Sequence, residues 1–162
     1  MAGKVLLSGY YGFDNAGDEA VLYAIIESLR KQQVTDITVL SHNPSATSSQ
    51  YNVNAVDRWS KKGIYQKLKK ADLFISGGGS LLQDVTSKNG ILYYLGIIAL
   101  AQILKKPVLI YAQGIGPIKH KRNRWLCAKI LNKATAITVR DYDSQAELRS
   151  MGVNQETIVG VD

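Results

Sequence analysis

Short runs of branched apolar residues recur along the chain, at Lys4 to Ser8, Ile37 to Leu40, Val53 to Val56, Leu73 to Ser76, Val108 to Gln113, Ala136 to Val139 and Thr157 to Val159. They read as strands. Between them the pattern changes to a helical period: Val21, Leu22, Ile25, Ile26 and Leu29 fall on one helix face, and Trp125, Leu126, Ile130 and Leu131 on another. The stretch Gly90 to Leu104 is apolar nearly all round and reads as a buried helix, because it falls short of the roughly 20 apolar residues that span a membrane. Ser41 to Gln50, SHNPSATSSQ, is polar, contains proline and reads as a loop.

Strands alternating with helices predict an α/β fold, a Rossmann-like parallel sheet with helices on both faces and a ligand site outside the carboxyl ends of the strands. A chain of 162 residues suits one such domain, and it stops at Asp162, soon after the last expected strand, where the next element of such a fold is due. The expectation is therefore an N-terminal half cut at a domain edge.

Composition narrows the setting. The single Cys127 excludes an internal disulfide, and with only His42 and His120 beside it no Cys/His zinc site is expected. The N-terminus MAGKVLLSGYYG has too short an apolar run for a signal peptide, so a cytoplasmic location is expected. The net charge of +7 gathers at Lys61, Lys62, Lys67, Lys69 and Lys70 and again from Lys119 to Arg124. These runs lack the interleaved aromatics of a nucleic-acid groove and read as a solvated basic face, with peripheral contact to an anionic membrane as the sharper alternative.

Three glycine-bearing segments each follow an expected strand and so converge on one sheet edge. The first, SGYYGFDNAGDEA from Ser8 to Ala20, opens a helix, with Asp14 or Asn15 as N-cap and Asp18 and Glu19 in its first turn. Those acids complement the helix dipole, and they argue against a pyrophosphate site there; nor does the segment match G-x-G-x-x-G. Aromatic Tyr10, Tyr11 and Phe13 beside Asn15 and Asp18 suit a neutral, hydroxyl-rich ligand such as a sugar, although core packing is the alternative for each ring.

In the second segment, SGGGSLLQD from Ser76 to Asp84, the three glycines Gly77, Gly78 and Gly79 permit positive φ and close approach to a ligand, and no lysine follows to complete a Walker motif. The third is QGIGP from Gln113 to Pro117, and Arg140 with Asp141 follows the next strand. Arg140 is either a surface ion pair or a guanidinium aimed into the crevice toward a carboxylate or phosphate; Asp141 is a good N-cap.

Together GYYGFDNAGDEA, SGGGSLLQD, QGIGP and VRDYDS, in this order, resemble the polysaccharide pyruvyl transferase family, in particular the bacterial branch acting on secondary cell-wall polysaccharide. The resemblance implies transfer of pyruvate from phosphoenolpyruvate, a co-substrate, onto two hydroxyls of a terminal sugar, typically N-acetylmannosamine, as a cyclic ketal, with no cofactor and no metal. It implies a glycosyltransferase-B type architecture of which this chain is the N-terminal domain, a lipid-linked acceptor, and catalytic residues in the second half. By resemblance Tyr11, Phe13, Asn15 and Asp18 hold the acceptor, Arg140 and Gly77 to Gly79 meet the donor, and Gln83, Asp84, Gln113 and Gly114 line the cleft. His42 and His120 lie outside these motifs. Alternatives are the N-terminal half of a nucleotide-sugar glycosyltransferase and a non-catalytic carbohydrate-binding module, and an interdomain face left uncovered would favour self-association.

Overall fold

A computed structural model describes residues 3–160. Its strands are β1 (Lys4–Ser8), β2 (Asp36–Ser41), β3 (Asn54–Asp57), β4 (Leu73–Gly77), β5 (Val108–Gln113), β6 (Ala136–Val139) and β7 (Thr157–Val159). The helices between them are α1 (Ala16–Lys31), α2 (Pro44–Tyr51), α3 (Lys61–Lys70), α4 (Gly90–Ile103), α5 (Lys121–Leu131) and α6 (Tyr142–Met151). All strand pairs are parallel, in the order β3-β2-β1-β4-β5-β6-β7. The order reverses between β1 and β4, and such a reversal opens a crevice at the carboxyl ends of the two strands.

Alternation along the strands divides the core between two sheet faces. Val5 and Leu7 of β1, Val39 of β2 and Ile75 of β4 pack with Leu22, Ile25 and Ile26 of α1 and Tyr51 of α2. Leu6, Leu40 and Phe74 point the other way, into a larger cluster with Ile64 and Leu68 of α3, Ile91, Leu95 and Ile98 of α4, Leu131 of α5 and Leu148 of α6. Helix α4 can be apolar nearly all round because this cluster surrounds most of it, although Ile103 at its end is exposed. Among the described residues no helix is long and apolar enough to cross a membrane.

Two local expectations are corrected. The segment expected to be a loop contains α2: the Asn43 side chain accepts from the Ala46 N–H at 3.3 Å as N-cap and Pro44 occupies the first turn, where its missing N–H costs nothing. Thr47, buried, anchors that helix through a 2.7 Å hydroxyl contact with Ser41, so polar composition here reflects capping and packing rather than irregular chain. Trp125 leaves the buried face of α5, which is formed by Asn123, Cys127 and Leu131, and lies exposed with Lys129 Nζ 4.8 Å from its ring.

Candidate functional site

The loops leaving β1, β3 and β4 meet at the reversal of strand order, and with the start of α4 they enclose a cleft of about 580 Å³. Its walls include Tyr10, Phe13, Arg58, Trp59, Tyr93 and Tyr94, and its polar rim Asn15, Asp18, Ser80, Gln83 and Asn89. The loops after β1 and β2 supply a pile of parallel rings: Tyr10 stacks on Phe13 at 4.0 Å and Phe13 on His42 at 4.4 Å. His42, outside the motifs in the sequence, is thus brought beside the site, held there by a 2.9 Å bond from its backbone N–H to the Tyr11 carbonyl.

Tyr11 does not join the cleft. It is 1% exposed, and its hydroxyl donates to the Gly77 carbonyl at 2.7 Å, tying the loop after β1 to the turn after β4. The expected role of Tyr11 in holding an acceptor is corrected: a ring sealed in the core, its phenol pushed well above the ordinary value by burial and then by the Asp18 charge, has no face to offer a ligand. Glu19 is also occupied, accepting from the Gly12 N–H at 2.8 Å and the Tyr51 hydroxyl at 2.6 Å.

Phe13, Asn15 and Asp18 do reach the cleft. Asn15 caps α1, its side chain accepting from the Asp18 N–H at 3.2 Å, which places Asp18 in the first turn facing the crevice. Partial burial, and then the adjacent Glu19 charge, raise the Asp18 carboxyl above its usual range.

Arg58 has no glycine motif to announce it. It follows β3, is 4% exposed, and its guanidinium carbon lies 4.5 Å from the Tyr93 ring centroid, 5.0 Å from Phe13, 5.2 Å from Trp59, 5.5 Å from Tyr94 and 5.9 Å from Tyr10. Nη1 donates to the Gly9 carbonyl at 3.3 Å and Nη2 to the Tyr94 hydroxyl at 3.1 Å, while Nε has no partner among the described residues. Tyr93 donates in turn to the Arg58 carbonyl at 2.7 Å. Burial pushes the Tyr93 phenol up to about 12, Arg58 opposing the shift, so Tyr93 stays a neutral hydroxyl carrier at pH 7. The signal that could have found Arg58 is its position at the carboxyl end of β3, on the same sheet edge as the glycine segments. Tyr93 and Tyr94 were hidden within an apolar helix that reads as core.

A second, smaller cavity adjoins the first, because Asn15 and Asp18 line both; its other walls include Gly17, Gly79, Ala112 and Arg140. The Arg140 side chain is 48% exposed, its Nε is 3.1 Å from the Asp141 carboxylate and its Nη1 is 3.5 Å from the Ser80 hydroxyl. Gly114 makes room for it, since a Cβ there would stand 2.7 Å from Arg140 Nη2. Asp141 also caps α6 by accepting from the Ser144 N–H at 2.8 Å; these bonds and then the Arg140 charge hold its carboxyl below the usual range.

The glycine turn after β4 lets α1 approach. Gly78 has φ +73° and a Cβ there would collide with Val21; Gly79 has φ +64° and a Cβ would lie 2.5 Å from Asp18 Oδ1. Gly79 borders the second cavity, whereas Gly77 is buried under Ile25 and Tyr11. Of the expected cleft-lining residues, Gln83 lines the aromatic cavity and accepts from the Val85 and Thr86 N–H groups at 2.9 and 3.0 Å. Gln113 and Asp84 are corrected to interior positions. Gln113 is fully buried and donates to the Ser76 hydroxyl at 2.7 Å, and Asp84 is 4% exposed at the start of α5, accepting from the Lys119 N–H, the His120 N–H and Asn123 Nδ2 at 2.7, 3.0 and 3.0 Å.

Comparison with known proteins supplies two findings. The model of the family described as "Polysaccharide pyruvyl transferase" matches residues 15–162. The chain is also similar to the "Amylovoran biosynthesis protein AmsJ" of Erwinia amylovora, 24% identical over 202 aligned positions that take in 98% of this chain and 48% of the relative. The chain therefore spans about half the length of the relative it matches.

Proposed function

Because the chain belongs to the polysaccharide pyruvyl transferase family, we propose that its cleft holds the acceptor sugar of a reaction that moves pyruvate from phosphoenolpyruvate onto two sugar hydroxyls as a cyclic ketal. The observation that carries this reading is the pairing of two adjoining cavities at one sheet edge. One is paved with ring faces that suit the apolar face of a pyranose, the other holds a half-exposed guanidinium suited to an anionic donor, and Asp18 borders both.

In the proposed reaction a general acid protonates the methylene carbon of phosphoenolpyruvate and one sugar hydroxyl attacks the cationic C2, releasing its proton. Phosphate then leaves with the C–O bonding pair, and the second hydroxyl closes the ring and releases the second proton. Asp18, with its carboxyl raised above the usual range, is suited to accept a hydroxyl hydrogen, and Arg140 to hold the donor's phosphate or carboxylate. The acid itself is assigned to a second domain, as the family's two-domain architecture implies. No cofactor enters the scheme. The acceptor is a cell-wall polysaccharide unit carried on a lipid at the cytoplasmic membrane face. Helix α3, which has Lys61, Lys62, Lys67, Lys69 and Lys70 and no acid, supports an electrostatic contact with that surface.

Phosphate release from phosphoenolpyruvate by the full-length protein tests the reading, with and without N-acetylmannosamine on a lipid carrier. Acceptor-dependent release that falls at least a hundredfold in Arg140→Ala is expected. An enzyme that ignores phosphoenolpyruvate while turning over a nucleotide sugar would overturn the reading. Binding to vesicles that is indifferent to anionic lipid content and to salt would remove the membrane contact.

A further inference from the structure

We propose that Arg58 makes the aromatic cleft a site for an anionic sugar, the ring faces taking the pyranose and the guanidinium reading a phosphate ester or carboxylate carried on it. A guanidinium cannot shed its proton as a buried lysine can, so Arg58 keeps a full positive charge at 4% exposure. Buried charges are ordinarily paired, because desolvation is costly. No ion pair among the described residues includes Arg58; its acceptors are one carbonyl and one phenol, and Nε has none. The neighbouring carboxylate of Asp57 is committed instead to the Trp59 N–H at 2.9 Å. The other acid at the cleft, Asp18, lines both cavities but makes no hydrogen bond or ion pair with Arg58. Ring quadrupoles offset part of the charge but leave the wall of the cleft electropositive, and an incoming oxyanion is the missing partner. Trp59, which lines the cleft beside the guanidinium, is 61% exposed, so this side of the cleft faces solvent.

This inference deepens the acceptor reading and rests on it for the sugar, whereas the preference for an anion follows from Arg58 itself. Calorimetric titration of the protein with methyl glucoside, methyl glucuronide, glucose 1-phosphate and inorganic phosphate tests it. One charged sugar at least is expected to bind tenfold or more tighter than the neutral one, and whichever anion is preferred identifies its source. Arg58→Gln should erase the preference and Arg58→Lys should restore part of it. Equal binding of neutral and charged sugars, no sugar binding at all, or a preference lost in Arg140→Gln and retained in Arg58→Gln would overturn the proposal. Should Arg58→Gln not fold, salt titration of the unmodified protein decides: binding of the charged sugar must weaken severalfold between low and high salt while the neutral sugar is unaffected, and equal salt response overturns it. Phosphoenolpyruvate turnover separates the two readings. Turnover without charge discrimination sinks only the role of Arg58, and an Arg58-dependent preference without turnover sinks only the transferase chemistry.

Discussion

Two arginines stand at the carboxyl edge of the sheet in opposite surroundings. Arg140 is 48% exposed, paired with its chain neighbour Asp141 and screened by water. Arg58 is 4% exposed and ringed by aromatic faces, with no carboxylate bonded to it. The same functional group is therefore free to meet a diffusing anion at one end of the crevice and is built into the wall at the other. A positive charge in a site acts through its surroundings: an exposed arginine is a contact, and a buried one organises the rings and loops that touch it.

The largest effect that could break this contrast is expected at Arg58 itself. Arg58→Ala opens a cavity among the rings and frees the Gly9 carbonyl and Tyr94 hydroxyl, so a loss of about 2–4 kcal/mol in urea unfolding is expected. A loss under about half a kcal/mol would make Arg58 a surface residue in all but position. Tyr11→Phe, which leaves the Gly77 carbonyl without its donor, should cost about 1–2 kcal/mol and leave sugar binding within twofold. A larger change in binding than in stability would return Tyr11 to the cleft. Gly79→Ala meets both the positive φ and Asp18, and a cost of about 1–2 kcal/mol is expected with weakened ligand binding, since Asp18 must move.

Acid should act on the interior carboxylate of Asp84. Burial raises the Asp84 carboxyl, but the Lys119 and His120 N–H groups and Asn123 outweigh it and hold it below its usual range. A folded-state pKa below the unfolded one, about 3.9, contributes stability that is present above that value and lost as pH falls through the folded value. Urea midpoints measured from pH 7 down to pH 2 should fall below about pH 4, and Asp84→Asn should flatten the fall; an unaltered slope would remove Asp84 as its source. Smallest of all is the stability effect of Arg140→Ala, within about half a kcal/mol, because an exposed ion pair contributes little. Its effect belongs in turnover.

The fold was legible because parallel sheets need apolar strands and crossover helices, and these leave local marks: all seven strands of the described residues begin at or within one residue of the limits read from the pattern, and β1, β5, β6 and β7 match them at both ends. Helix α2 escaped because its stability comes from a capping asparagine and a buried threonine rather than from an apolar face. At the site, glycine marked the edge correctly but not the individual contacts. Gly78 and Gly79 take the positive φ expected of them, yet they serve the approach of α1 as much as any ligand. Whether a tyrosine in GYYG faces a ligand or the core is set by which way a loop turns, and Tyr10 and Tyr11 go opposite ways.

From sequence alone came the parallel α/β architecture, the edge of the sheet that carries the glycine turns, and the family, because periodicity and local motifs are properties of neighbouring residues. Tertiary structure decided which side chains share the crevice. Arg58, the adjacent pair Tyr93 and Tyr94, and His42 beside the cleft come from three separate segments, and their meeting depends on strand order and on the direction in which each segment leaves the sheet, neither of which any single segment encodes.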